Sequence, residues 1–281
     1  MSKQMKQGIF GLALVIPSFL LLCLVVIAPI ILAIMESLRD DGGNFTFQFY
    51  TRLFTDKVMS GNIIFTLKLT IISVIAVVLI GYALAIYMRF SGGPIVTGIK
   101  KMYMIPMFVP SVIASYGIIN LYGNHGWLSR LLLPLGIEDL PRIVYDYKGI
   151  LLANLWFNIP FTTMLLASAL SGIPNAIIES AKDVGAGRLQ IFFKLIIPLS
   201  YRTLLVAITF SFMGIIGGFT APFLLGPNSP QVLGVAMRQV FSVYQETQFA
   251  SATAVFMFVL CSFMGYFYIR TMIKDDKAST H

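Results

Sequence analysis

Six stretches of this chain contain no Asp, Glu, Lys or Arg: Gly8–Met35, Leu69–Met88, Met102–Ser129, Gly149–Ile178, Thr203–Met237 and Thr247–Ile269. Each reaches the roughly 20 residues that an α-helix needs to cross a hydrocarbon layer about 30 Å thick. Lipid offers no hydrogen bonds, so a chain crossing it must satisfy its own backbone, as a helix does. Composition closes off the alternatives. Only 11% of the 281 residues are charged, less than half of the roughly 25% that a soluble domain carries. With 57% apolar residues and a mean hydropathy of +0.84, the chain has too much apolar surface to stay disordered and too little charge for coiled-coil heptads. Two cysteines, Cys23 and Cys261, are too few for a disulfide scaffold, and both sit in apolar runs as small hydrophobes. The expected fold class is an all-α polytopic membrane protein with six transmembrane helices.

The fifth stretch, at 35 residues, has room for two short passes, but Gly217, Gly218, Pro222, Gly226, Pro227 and Pro230 interrupt its second half. It reads as one span followed by a loop of re-entrant character, because irregular backbone at membrane depth needs a cover of protein or water. Lys3 and Lys6 precede the first stretch as in a signal peptide. That stretch outruns an h-region of about 7–15 residues and no A-x-A site follows, so a retained first span is expected.

Lys and Arg mark the cytoplasmic side. With the N-terminus inside, twelve of them fall in cytoplasmic segments and seven outside, with Lys68 near the start of span two. The acids divide four inside and eight outside, leaving a net +8 inside and −1 outside. The expected orientation is N-in/C-in, and the pI near 9.5 reflects topology and contact with anionic headgroups of the lipid bilayer, with no nucleic acid as partner. The chain then divides into residues 1–62 (first span and external loop), a five-helix core over 63–270, and a cytoplasmic tail over 271–281. The first external loop sets Phe45, Phe47, Phe49 and Tyr50 among charges; the second carries an amphipathic piece, Trp127–Leu133, suited to the membrane surface or to a lip at the outer mouth.

Catalytic chemistry is absent from the pattern. The two histidines are His125, at a predicted outer rim, and the last residue, His281. No His/Cys/Asp/Glu cluster has metal-ligand spacing, and no G-x-x-x-x-G-K-[ST] phosphate loop occurs. Ser91-Gly92-Gly93-Pro94 and Gly217-Gly218 read as a turn and a helix break. An enzyme acting alone is not expected, nor a metal site, nor a cofactor in this chain.

Ion-coupled carriers place ionisable groups within their spans. Here Lys68 and Glu246 lie only at span edges, and the membrane zone holds neutral polar residues instead, among them Asn154, Thr163, Thr209 and Ser211. Candidate lining residues of a translocation path are Tyr82, Tyr116, Asn120, Trp156, Asn158, Thr162 and Thr220. Aromatic rings such as Tyr82, Tyr87, Tyr116 and Trp156 can hold ammonium groups by cation–π contact; packing and helix bridging are the alternative roles. Energy for active transport would have to enter from another protein. A secondary carrier and a non-transporting scaffold remain the alternatives.

The cytoplasmic loop over 171–202 is the place for such an entry. Ser171 and Pro174 open a helix that sets Ile177, Ile178, Ala181 and Val184 on one face and Glu179, Lys182 and Asp183 on the other. Gly185-Ala186-Gly187 breaks it, and a second amphipathic piece, Leu189–Ile197, carries Ile191, Phe192, Leu195 and Ile196 until Pro198 ends it.

Glu179-Ser180-Ala181, three residues, Gly185, nine residues, Leu195, one residue and Ile197-Pro198 resemble the E-A-A-x₃-G-x₉-I-x-L-P loop of bacterial ABC importer permeases. Ser180, Leu195 and Ile197 depart from the family letters and are conservative in size; Glu179, Ala181, Gly185 and Pro198 match. The resemblance covers roughly 63–269. It implies a type I ABC importer permease fold in the bacterial inner membrane, with Glu179, Ser180, Ala181, Asp183, Gly185, Leu195, Ile197 and Pro198 forming the coupling helix that seats in a cytoplasmic ABC ATPase dimer. It further implies a second permease subunit, like or unlike this one, with a different chain as the first reading, an extracytoplasmic substrate-binding protein, and ATP and Mg bound by the partner ATPase. The runs Gly218–Pro227 and Gly126–Leu132 look most like the spermidine/putrescine branch, which implies polyamine import; related branches import ferric iron, thiamine or phosphonates.

Overall fold

The computed structural model describes residues 14–124, 126–136 and 141–278. Lys3, Lys6, the first six residues of the opening apolar stretch, His125 and His281 lie outside them, as do the last three residues of the tail. The described residues are helical, joined by turns: α1 (Leu14–Ser37), α2 (Gln48–Thr55), α3 (Lys57–Phe90), α4 (Pro94–Met102), α5 (Ser111–Tyr122), α6 (Trp127–Leu132), α7 (Tyr147–Ser171), α8 (Asn175–Asp183), α9 (Arg188–Ile216), α10 (Thr220–Leu225), α11 (Leu233–Ser242) and α12 (Thr247–Ala278). Five of these, α1, α3, α7, α9 and α12, are long and apolar enough to cross a bilayer, and a bent pair can supply the sixth crossing.

The bent pair is the third apolar stretch. Instead of one straight helix, the segment Pro94–Phe108 meets the one beginning at Ser111 at 106°. Pro106 and Pro110 explain the break: neither can donate a backbone hydrogen bond, Pro106 sits in a short 3-10 turn over Ile105–Phe108, and Pro110 pushes the residue before it out of the helical region. Val109 accordingly is extended, with ψ 121°.

Span two also differs from expectation. It begins at Lys57, so Lys68 lies well inside α3, and the expected boundary at 62/63 falls within a helix. Lys68 is exposed along the helix surface, where its long stem can carry the ammonium toward the interface.

Two prolines interrupt helices without ending them. Ala28 N–H bonds to the Cys23 carbonyl and Ile197 N–H to the Phe192 carbonyl, so each chain widens to a π turn immediately before Pro29 and Pro198. A proline removes the bond to the carbonyl four residues back and its ring crowds that carbonyl; one wide turn relieves both faults. Pro198 therefore does not terminate the second piece of the loop, as its sequence suggests. The helix runs on from Arg188 to Ile216.

Contacts divide the chain into two units, 1–60 with 237–259, and 61–236 with 260–281. In the first, Arg52 pairs with Glu246 through both guanidinium nitrogens, the longer bond at 3.2 Å, and lies over the Phe249 ring at 4.2 Å. Phe54 meets Phe256 edge-on, and Ser37 bonds to the Tyr50 hydroxyl at 2.7 Å. The most apolar window of α1 buries nothing within the chain.

In the second unit, α3 carries a buried polar face: Asn62, Thr66, Thr70 and Ser73, at near-helical spacing. Asn62 Oδ1 accepts from Gln231 N–H at 2.8 Å and Thr66 Oγ1 from Leu233 N–H at 2.9 Å. These two side chains satisfy the irregular backbone after Gly226, the segment expected to need cover at membrane depth. Asn154 of α7 donates to Ser73 at 3.0 Å. At Gly81 a Cβ would stand 2.9 Å from Thr162 Cγ2, so glycine is what lets α3 approach α7 there. The variant Thr66→Val should lower stability in detergent by roughly 1–3 kcal/mol, the cost of an orphaned buried N–H. A thermal melt matching the parent protein would show that the bond contributes nothing.

Candidate functional site

The loop over 171–202 folds as an elbow. α8 starts at Asn175 with Pro174 as its N-cap, and ends where Gly185 takes the left-handed conformation, φ +83°. Gly185 N–H bonds to the Lys182 carbonyl at 2.8 Å and Ala186 N–H to the Ala181 carbonyl at 3.0 Å, the pair of bonds that closes a helix around a left-handed residue. Nothing lies within 4 Å of a Cβ at Gly185, so backbone conformation rather than space selects glycine. The chain restarts at Gly187, whose N–H is held by the Gln190 side chain at 3.1 Å, and enters α9.

Apolar residues of the elbow pack on the second unit's core. Ile178, Ile191 and Ile196 are buried with Tyr82 and Ala85 of α3 and Leu166 and Leu170 of α7, and Ala181, Ala186, Phe192, Leu195 and Ile197 pack around them. The Tyr82 ring meets Phe192 edge-on at 5.8 Å, and its hydroxyl bonds to Ser200 Oγ at 2.6 Å while Ser200 donates to the Ile196 carbonyl. The motif thus splits by direction. Ala181, Leu195 and Ile197 anchor inward, whereas Glu179, Ser180, Asp183, Gly185 and Pro198 are exposed. Ser180 Oγ donates to the Ala176 carbonyl of its own helix.

Ile177 and Val184 are not on the packed face as their spacing suggests. Val184 caps the helix, where the chain is already turning, and is 85% exposed; Leu189 beyond the turn is 74% exposed. The elbow therefore presents an apolar tip, Ile177, Val184 and Leu189, beside Glu179, Lys182, Asp183 and Arg188. Exposed apolar side chains rimmed by charge suit a protein surface that docks another.

One residue here escaped the sequence reading. Arg89, at the end of α3, donates Nε to the Leu170 carbonyl at 3.2 Å and Nη2 to the Ile173 carbonyl at 3.1 Å and to Asn175 Oδ1. It ties the end of α7 and the first residue of α8 to span two. Its only sequence signal is a lone arginine directly after the charge-free stretch 69–88.

The seven candidate path residues do not converge. Tyr82 and Thr162 are buried packing groups, Thr162 bonding to Ser211 Oγ at 3.1 Å. Burial against neighbouring helices leaves neither free to line a path within this chain. Asn158 is half-buried and donates to the Asn154 carbonyl, and Thr220 is half-buried at the start of α10. Tyr116 and Trp156 are exposed. Asn120 donates to the Tyr116 carbonyl and borders a cavity of about 450 Å³ that also meets Trp127, Arg130, Arg142 and Tyr145. Trp127–Leu132 does form a helix, α6, as its amphipathic pattern suggests.

The fold is shared with known transporters. A crystal structure of a bacterial alginate ABC transporter in complex with alginate pentasaccharide-bound periplasmic protein contains a chain that superposes with TM-score 0.82 at 18% identity, covering 95% of this chain and 94% of that one. Among curated proteins, the spermidine/putrescine transport system permease protein PotB of Escherichia coli K12 is 26% identical over 237 residues, 83% of this chain and 86% of that protein. The molybdenum transport system permease protein ModB of Azotobacter vinelandii is 23% identical over 187 residues, 66% of this chain and 81% of its own. The family described as binding-protein-dependent transport system inner membrane component matches residues 78–273, which include the whole elbow and four of the five long apolar helices in whole or part. This chain belongs to that family and is a membrane-embedded permease subunit of an ABC importer.

Proposed function

We propose that the elbow over 171–202 is the coupling element through which a cytoplasmic ABC ATPase dimer, holding ATP and Mg, drives this subunit between inward- and outward-facing states. A second permease chain completes the path, and an extracytoplasmic binding protein delivers the solute. The observation that carries this reading is the junction of the spaced motif with its geometry: inward-facing anchors, a left-handed glycine at the turn and an exposed apolar tip beside Glu179. ATP-driven closure of the ATPase dimer would move the tip, and the packed face would pass the motion to α3, α7 and α9.

A polyamine is the first reading for the solute, supported by the similarity to the spermidine/putrescine permease. An oxyanion is the second, favoured by Arg130 and Arg142 at the outer cavity. Like charge would repel a polyamine from such a lining, while a guanidinium pair suits an anion.

The direct test is co-purification from native membranes of the full chain and its Glu179→Arg variant. An ATPase and a second permease should accompany the parent protein, and the charge reversal should weaken recovery of the ATPase about tenfold, the scale of a close unlike pair turned like. Equal recovery would remove Glu179 from the contact. Uptake of labelled spermidine against labelled molybdate then separates the two solute readings.

A further inference from the structure

A second cavity, of about 560 Å³, opens among α3, α4 and α7 on the side that the Lys and Arg bias assigns to the cytoplasm. Its floor is apolar, from Ala85, Met88 and Ala167; its polar lining is Arg89, Lys100, Tyr103 and Ser171. No carboxylate is among these residues. Arg89 is half-buried, and every acceptor it uses is neutral: two carbonyls and the Asn175 amide oxygen. Among the described residues its Nη1 makes no hydrogen bond, and the ion pair found, Arg52 with Glu246, does not involve it. A guanidinium withdrawn in part from water, with unused donors and no counter-charge, stabilises an anion brought to it. Lys100 adds a second cation on an exposed side chain, and the half-buried Tyr103 adds a hydroxyl donor. Ser171 Oγ already donates to the Ala167 carbonyl at 2.8 Å, so it offers only acceptor capacity.

We propose that this cavity binds a phosphate group, with Arg89 Nη1, Lys100 Nζ and Tyr103 Oη as donors. Two cations and a hydroxyl match a tetrahedral oxyanion better than a lone carboxylate, and the apolar floor suits the first methylenes of a phospholipid's acyl chains. Basic pockets between membrane helices on the cytoplasmic side take anionic headgroups in this way. The phosphate comes either from an anionic lipid such as phosphatidylglycerol or from solution. Because the bound anion would rest on the arginine that holds the start of α8, occupancy would stiffen the joint between span two and the elbow. The site itself requires only these side chains, so it stands or falls independently of whether the elbow docks an ATPase.

The test is native mass spectrometry of the full chain, delipidated in detergent and titrated with phosphatidylglycerol or with phosphatidylcholine of the same acyl chains. Phosphatidylglycerol should be retained in preference. The Lys100→Gln variant, at an exposed position that leaves packing intact, should lose about fivefold of that preference, the effect of one basic residue near an anionic surface. Tyr103→Phe should lower it further, and Lys100→Arg should keep it. Displacement of phosphatidylglycerol by millimolar inorganic phosphate would place the source in solution; retention in its presence would place it in the lipid. Both results support the site. Equal binding of the two lipids with no effect of phosphate, or a preference unchanged in Lys100→Gln combined with Tyr103→Phe, would overturn it.

Discussion

Solute uptake should fall at least tenfold in Gly185→Val, with the chain still folded and inserted in the membrane. At φ +83° glycine is unstrained, whereas an L-residue forced into the left-handed region costs roughly 1–2 kcal/mol, and a β-branched side chain is the worst case. The elbow escapes by reopening the turn, which breaks the bonds to the Lys182 and Ala181 carbonyls and changes the direction in which the chain leaves α8. A shift of about 1.4 kcal/mol already means tenfold in occupancy of the docking-competent shape. Since nothing lies near the Cβ position, the rest of the packing is spared. The measurement is uptake by cells expressing the variant at parent levels, beside a membrane-insertion assay. Asparagine, which tolerates the left-handed region, should recover part of the activity. Undiminished uptake in the valine variant would show that the turn is not needed for coupling.

Arg89→Gln should separate ATP hydrolysis from transport. The arginine ties two carbonyls and an amide oxygen at the end of α7 and the start of α8 to α3, and hydrogen bonds from a charged donor contribute about 1.5–3 kcal/mol each before non-additivity. Without it the elbow still packs through Ile178, Ile191 and Ile196, so the ATPase should still bind and turn over. Motion of the elbow would then reach α3 through apolar contacts and the Tyr82–Ser200 bond alone, and uptake should fall about tenfold, a loss of roughly 1.4 kcal/mol. Lysine should restore little, because a single ammonium cannot span acceptors that a planar fork reaches together. Uptake and hydrolysis measured in the same proteoliposomes decide the matter. If both fall in parallel, Arg89 supports the fold and not the transmission.

The amino-acid pattern carries the long helices and the elbow motif. Charge-free runs of about 20 residues predict the long helices, because a helix of that length crosses the bilayer and satisfies its own backbone in lipid, and the spacing from Glu179 to Pro198 carries the resemblance to the family. What failed did so for local reasons. Lys68 truncated span two because a charge at one position masks a helix whose lysine merely lies along its surface. That truncation hid Asn62 and Thr66, which precede Leu69 yet belong to the same polar face and cover the broken segment after Gly226. Tyr82 looked like a path aromatic because an apolar run does not say which face meets solute and which meets Ser200. In sequence Arg89 is one more cytoplasmic charge, since its acceptors lie 81 to 86 positions away in the chain. Pro198 signals a stop by the usual rule for proline, and the single wide turn ahead of it leaves no mark on the hydrophobic period.

That wide turn gives the fixed spacing of the elbow a meaning in rotation. From Gly185 to Leu195 the chain passes through α9's first residues and most of the π turn Phe192–Ile196. An α-helix advances about 100° per residue, so one extra residue in a single turn offsets everything before it by about that angle relative to everything after. Ile191, Phe192, Leu195 and Ile197 reach one core across the offset, and farther along the same helix Phe212, Ile215 and Ile216 turn to a second cluster with Val74 and Val77 of α3. The nine-residue interval is thus an angular setting: it aims the tip of the elbow with respect to the span that it must move. Removing one residue between Gly187 and Lys194 would keep every motif letter but shorten that interval, and so point the tip in another direction.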